Sequence, residues 1–286
     1  MLNLSLQSDR EALEELISDD INKFCETYYE QGHRNHLGGS ELGDDCWRKL
    51  YYTFHWVKLN HHDGQRMRLF NVGHSAEPRF VNYLKGIGFE VKEIAENGKQ
   101  FKAEGALGHY GLSLDGMCKA PERYQLSEDL VLSLEFKTNG TGAYYNKVAT
   151  EPLAKAKPVH WAQMCQGGYK FGLKYGLYLI ENKNDSDITI KIVELDWNYG
   201  AQLEKKANEI IFAKEPPPRI SENAAFQACK WCHQSDICHN GEQPEKNCRS
   251  CRNSTPTEDA TWTCQLHQAI IPSDFIKIGC EQWLPI

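Results

Sequence analysis

Val131-Leu132-Ser133-Leu134-Glu135-Phe136-Lys137 is an apolar, β-prone run that carries an acid and a base two positions apart. On a strand, positions i and i+2 leave the same face. The Glu135 carboxylate and the Lys137 ammonium therefore emerge side by side. Upstream, Ser113-Leu114-Asp115-Gly116 ends another short apolar segment with an acid followed by a turn residue. Two acids from neighbouring strands, with a lysine beside them, form an oxygen-rich donor set of the kind that hard cations such as Mg2+ or Mn2+ prefer.

The flanking sequence predicts a mixed α/β domain. Residues 9–31 carry apolar positions at helical spacing (Leu13, Leu16, Ile17, Ile21, Phe24), with Asp9 placed to cap the start. A short helix is expected within 40–52, and a second from Phe70 to Leu84 with Pro78 inside it. Strands are expected at 89–94, 107–114, 130–136, 177–180 and 188–193, and Pro158 opens a helix to about Phe171. His61 and His62, next to Asp63-Gly64, read as a turn. A charged helix over 197–214 runs into Pro216-Pro217-Pro218, which marks a boundary. The expected organisation is an N-terminal helical segment (1–60), a core (61–215) and a cysteine-rich region (216–286).

Gly73-His74-Ser75-Ala76-Glu77 puts His74 and Glu77 three apart on one helical face, so either can add a ligand to Asp115 and Glu135. The backbone carbonyl of Phe136 is a further oxygen. Phosphodiester hydrolysis uses such a cation to polarise a phosphoryl oxygen and to lower the pKa of water. Lys137 is placed to orient or deprotonate that water, or to stabilise charge developing on phosphate. Taken singly, each element has a plainer reading: Glu-x-Lys as a solvated ion pair, Asp-Gly as a turn, Glu77 as a surface residue. Their order carries the chemical reading.

In that order, Glu77, Asp115, Glu135-x-Lys137 and the helix with Gln163 resemble the RecB-type branch of the PD-(D/E)XK nucleases over roughly residues 40–240. The resemblance implies a restriction-endonuclease-like mixed sheet flanked by helices. It also implies a Mg2+- or Mn2+-dependent deoxyribonuclease, acting as an exonuclease in phage-type recombination or DNA processing. DNA is then the partner, with a recombination protein or a second copy of the chain as further ones. In that branch the helix after Glu-x-Lys carries a Gln and a Tyr facing the site. Gln163 matches in outline, but the usual Gln-x-x-x-Tyr spacing is absent: Tyr169 is six residues after Gln163 and three after Gln166. A restriction-like endonuclease and a non-enzymatic, metal-stabilised binding module are the rival readings.

Seven of the eleven cysteines lie from Cys229 onward. Cys229-Lys230-Trp231-Cys232 followed by Cys238 is Cys-x2-Cys-x5-Cys, a pattern that grips a metal or one edge of a cluster. The fourth ligand is Cys46, before Trp47-Arg48-Lys49-Leu50-Tyr51-Tyr52, or a local His233 or His239 with zinc. The resemblance extends to iron–sulfur members of the branch and implies a [4Fe-4S] cluster on Cys46, Cys229, Cys232 and Cys238. Cys248-x2-Cys251, Cys264 and then His267 or Cys280 read as a Zn2+ site, with Cys280 favoured. Arg249, Arg252 and Lys246 are either DNA phosphate contacts or a solvated basic loop. Cys25, Cys118 and Cys165 are expected to be packing residues.

The net charge of -7 argues against non-specific coating of DNA. No apolar run approaches the roughly 20 residues of a membrane span, and the start lacks the marks of a secretion signal. A cytoplasmic protein without membrane contact is expected.

Overall fold

The computed structural model describes residues 4–29 and 32–286. Its helices are α1 (Gln7–Tyr28), α2 (Trp47–Phe54), α3 (Gly64–Gly86), α4 (Asn146–Thr150), α5 (Leu153–Ala156), α6 (Pro158–Phe171) and α7 (Trp197–Ile211). Strands β2 (Glu90–Lys92), β5 (Gly116–Lys119), β6 (Leu132–Asn139), β7 (Tyr175–Asn182) and β8 (Ile188–Glu194) form a mixed five-stranded sheet in the order β2-β5-β6-β7-β8. Within this sheet only the β6–β7 pair is parallel, joined by the crossover that contains α6. The expected α/β class, a mixed sheet with helices on both faces, is the one found.

The alternation within β6 divides the core. Leu132, Leu134 and Phe136 pack with Leu177 and Leu179 of β7 against Phe80, Val81 and Leu84 of α3. The opposite face meets α6 through Tyr178, Ile180, Ala162 and Met164. Helix α6 lies close to its neighbours because small residues line it. A Cβ on Gly168 would come within 2.7 Å of the Leu195 side chain.

Several boundaries differ from those the sequence predicts. Helix α1 begins at Gln7 with Leu6 as its cap, so Asp9 lies in the first turn instead, and the last residues of the expected helix fall outside the described ones. Helix α3 starts six residues earlier than expected, because Asp63 is a cap whose side chain accepts from Arg66 N–H. Pro78 sits inside α3 without ending it. Strands β3 (Lys102–Gly105) and β5 are additions. β3 pairs with β4 (Tyr110–Ser113), which also pairs with the two-residue β1 (Leu37–Gly38).

The C-terminal segment carries a small antiparallel sheet, β9 (Ser254–Pro256), β10 (Trp262–Cys264) and β11 (Ala269–Ile270). Trp262 and Ile271 belong to the same buried cluster as α2. Arg249, expected at the surface, is 1% exposed instead. Its guanidinium lies over the rings of Phe54, Trp56 and Trp262 at 4.6, 4.3 and 4.8 Å and donates to the carbonyls of Asn35 and Phe54. His55 in turn donates from Nδ1 to the Arg249 carbonyl at 2.8 Å. Burial lowers the Arg249 pKa to about 9. Cys25, Cys118 and Cys165 are buried packing residues, as expected. No helix among the described residues is long and apolar enough to cross a membrane.

The α3–β6 contact is a testable joint. Phe80 is 1% exposed with its ring 5.6 Å from that of Phe136. Phe80→Ala is expected to cost about 3–5 kcal/mol of stability in urea denaturation; a loss below about 1 kcal/mol would show that α3 does not rely on this contact.

Candidate active site

Asp115 occupies the bend between β4 and β5. Its Oδ2 accepts the backbone N–H of Phe136 at 2.7 Å, which fixes the carboxylate against the middle of β6. The bend depends on Gly116, whose φ of +155° suits glycine and where a Cβ would lie 2.9 Å from the Lys92 carbonyl.

Glu135 projects from β6 towards α6 and is 2% exposed. Lys137, two residues on, bonds Glu135 Oε1, and Gln163 Nε2 donates to Oε2 at 3.0 Å. Both carboxylate oxygens are thus engaged, as a buried charge requires. Glu77 and His74 stand further out on α3, 3.5 Å apart, with side chains 44% and 60% exposed. Asp115, Glu135, Lys137 and Gln163 are therefore brought together by direct bonds, whereas Glu77 and His74 sit at the rim.

The charges act on one another across this gap. The Glu135 pKa is raised to about 7: burial pushes it up most, Lys137 pulls it down, and Asp115 and Glu77 push it up. Glu77 is raised by burial and by Asp115. Burial pulls the Lys137 ammonium down, but Glu135, Asp115 and Glu77 outweigh it, and the net displacement is upward. Three acids facing one lysine leave an excess of negative charge.

Beside this set stand two residues that the sequence reading did not assign to the site. Tyr178 is the cross-strand partner of Glu135, and its hydroxyl lies 2.8 Å from Nδ1 of His160, one turn before Gln163 on α6. Neither bond had a local signal, since the partners are separated in sequence by the turn into β7. Gln166, by contrast, is structural: fully buried, it bonds the carbonyls of Gly39 and Ala162 and the hydroxyl of Tyr110.

The cysteines fall into two groups in space. Cys46, Cys229, Cys232 and Cys238 line one cleft of about 220 Å3, together with Arg48, Lys49, Arg219 and His239. Cys46 caps α2, and Cys229 and Cys232 share a tight turn closed by a 3.0 Å backbone bond. In the second group, Cys248 is raised by burial and then by Cys280, Cys251 and Cys264, whose thiols are near enough for their charges to act on it. Leu284 N–H points at Cys251 Sγ at 3.5 Å. Among the described residues, no three His, Cys, Asp or Glu side chains are already drawn together closely enough to hold a metal ion.

No family model and no curated protein matches the chain. Among solved structures, it is similar to an alkaline exonuclease (LHK-Exo) from Laribacter hongkongensis, with 15% identity over 64% of this chain and 89% of that one and a TM-score of 0.44. LHK-Exo in complex with dAMP gives 15% identity over 62% and 86%, also with a TM-score of 0.44. SSO0001 gives 17% identity over 78% and 96%, with a TM-score of 0.48. Likenesses of this size leave the chemistry of the site to be read from its own geometry.

The burial of Glu135 beside other acids has a pH signature. With a folded pKa of about 7 against 4.5 for the free side chain, Glu135 holds a proton in the folded state that it lacks when unfolded. Its contribution to stability is present below 4.5 and lost as pH rises through about 7. In EDTA, Glu135→Gln should therefore gain about 2–3 kcal/mol on the wild type between pH 5 and 8. A difference that stays flat with pH would mean that neither burial nor its acidic neighbours raise the Glu135 carboxyl.

Proposed function

We propose that this chain is a divalent-metal-dependent deoxyribonuclease that hydrolyses phosphodiester bonds at DNA ends. One observation carries the reading: a buried carboxylate, Glu135, held between Lys137 and Gln163 beside the fixed carboxylate of Asp115. A buried ion pair with an unbalanced acid next to it is costly for stability alone. Perturbed acids clustered at one place suit a functional site.

The donor set fits a hard cation. Asp115, Glu135 and Glu77, with the Phe136 carbonyl and His74 as additional donors, would hold Mg2+ or Mn2+, whose charge offsets the repulsion that raises Glu77 and Glu135. When bound, such a cation polarises a phosphoryl oxygen and lowers the pKa of water. Lys137 acts as an ammonium, since its acidic neighbours hold its proton, and that favours charge stabilisation on the phosphate over deprotonation of water. Gln163 fixes the carboxylate rotamer of Glu135. The preference for ends, and a role in recombination or DNA processing, follow the motif order that resembles the RecB-type nucleases.

The thiols fit metal ligation too. Cys46, Cys229, Cys232 and Cys238 share one cleft, and burial, then Cys46 and Cys238, raises Cys229, so a cation there would relieve mutual repulsion. We assign them to a [4Fe-4S] cluster, with Zn2+ and His239 as the rival, and Cys248, Cys251, Cys264 and Cys280 to Zn2+. Each set would tie the C-terminal segment to the rest of the chain.

The decisive assay is cleavage of end-labelled linear duplex, single-stranded and closed circular DNA with Mg2+, Mn2+ or EDTA. Metal-dependent loss of linear DNA alone is expected, reduced by about 100-fold or more in Glu135→Ala and Asp115→Asn. Full activity in Glu135→Ala would sink the assignment, and cutting of closed circles would make the enzyme an endonuclease. Iron, sulfide and zinc analysis of the purified protein decides the element at each cysteine group.

A further inference from the structure

Helix α6 presents two polar side chains to β6 and β7, one turn apart. Gln163 reaches Glu135, and His160 reaches Tyr178, the residue next to Glu135 across the parallel pair. Tyr178 is fully buried, and the phenol bonds His160 Nδ1 at 2.8 Å. Burial, then the cations of Lys137 and Lys157, lowers the His160 pKa to about 3. The ring is therefore neutral at any working pH, and Lys137 is near enough for its charge to act on it.

A neutral imidazole carries one proton. With Tyr178 O–H donating to Nδ1, the tautomer is the one that has its proton on Nε2. Nε2 makes no hydrogen bond among the described residues, nor is it one of the buried polar atoms left without a partner. In that tautomer it is a donor whose ring is held by Tyr178 and whose own partner is still to be supplied. Beside Lys137, a neutral donor adds a hydrogen bond to an anion without repelling the ammonium.

We infer that His160 is a phosphate-positioning residue, set by Tyr178, whose Nε2–H donates to a non-bridging oxygen of the DNA phosphate that Lys137 faces. The inference rests on the nuclease reading above. It assigns a task to a helix position that the motif order leaves unassigned. It also accounts for a buried phenol beside an acidic site: Tyr178 sets the ring and takes no proton from the substrate.

The test exploits side-chain shape. In His160→Gln the amide nitrogen falls where Nε2 was, whereas in His160→Asn it falls where Nδ1 was. His160→Leu has neither. Two readouts are used: single-turnover cleavage of linear duplex in Mg2+ at saturating protein, and the Kd for 5′-phosphorylated DNA by fluorescence anisotropy in Ca2+. Leu and Asn should slow cleavage roughly 10- to 100-fold, the effect of one hydrogen bond to a charged group. They should also raise Kd by about three- to tenfold, while Gln stays within about threefold of wild type on both measures. Melting temperatures should remain alike.

Wild-type behaviour in His160→Leu, or a Gln variant as impaired as Leu, overturns the inference and leaves the nuclease reading intact. Metal-dependent cleavage that survives in Glu135→Gln overturns the assignment of the site, and its absence from the wild type overturns the nuclease reading itself. The Kd series then decides the role of His160 alone, and an unchanged Kd in His160→Leu ends it.

Discussion

A carboxylate with almost no water around it sits in the middle of this protein, and much of the surrounding structure answers to it. Glu135 is on β6, a strand covered by α3 on one face and α6 on the other. An ionised acid in such a place is untenable without partners. The partners come from the two directions the backbone allows: Lys137 from the same strand and Gln163 from the helix above. Asp115 is pinned by a backbone N–H of the same strand and so cannot turn away from Glu135. The set remains short of positive charge. This shortfall separates it from a structural ion pair, in which acid and base balance.

Arg249 shows the opposite solution to the same problem. Here a buried cation has no acid partner among the described residues and relies on three aromatic faces and two carbonyls. One of those carbonyls, Phe54 O, is at the C-terminal end of α2, while Cys46 caps the N-terminal end. A helix of eight residues thus has one cysteine group at its start and a residue between Cys248 and Cys251 at its finish. Tightly packed aromatic interiors transmit displacement rather than absorb it. The C-terminal segment is accordingly held by the same core that positions α6 and α7, through Trp262 as well as Arg249.

How much of this was legible depends on the range of the interaction. Strand β6 could be read because its alternation is complete from Leu132 to Lys137. Helix α6 was clear from Pro158 to Phe171, and β7 and β8 from two apolar runs around a polar turn. β5 was not, since Gly116-Met117-Cys118-Lys119 offers four residues without a β-branched one. The early start of α3 was hidden because Asp63 next to Gly64 has the local look of a turn, and only the bond to Arg66 N–H distinguishes a cap. Arg249 between two cysteines looked solvated for the same reason. The rings that bury it come from residues 54, 56 and 262, and nothing nearby in sequence announces them.

The missing Gln-x-x-x-Tyr spacing has a steric cause. Four residues after Gln163 stands Gly167, and a Cβ there would come within 2.7 Å of Leu114, the residue before Asp115. A side chain at that position would have to push the tip of the Leu114 side chain aside. Tyr169 does not substitute for it, being 40% exposed and packed near Gly200 of α7. The phenol near the site comes from β7 instead: Tyr178 is in register with Glu135 and bonds a histidine on the helix. A glycine thus lets α6 pack closely on Leu114 at the position where the motif would carry its tyrosine. The chain has kept the packing and placed its aromatic hydroxyl on the sheet.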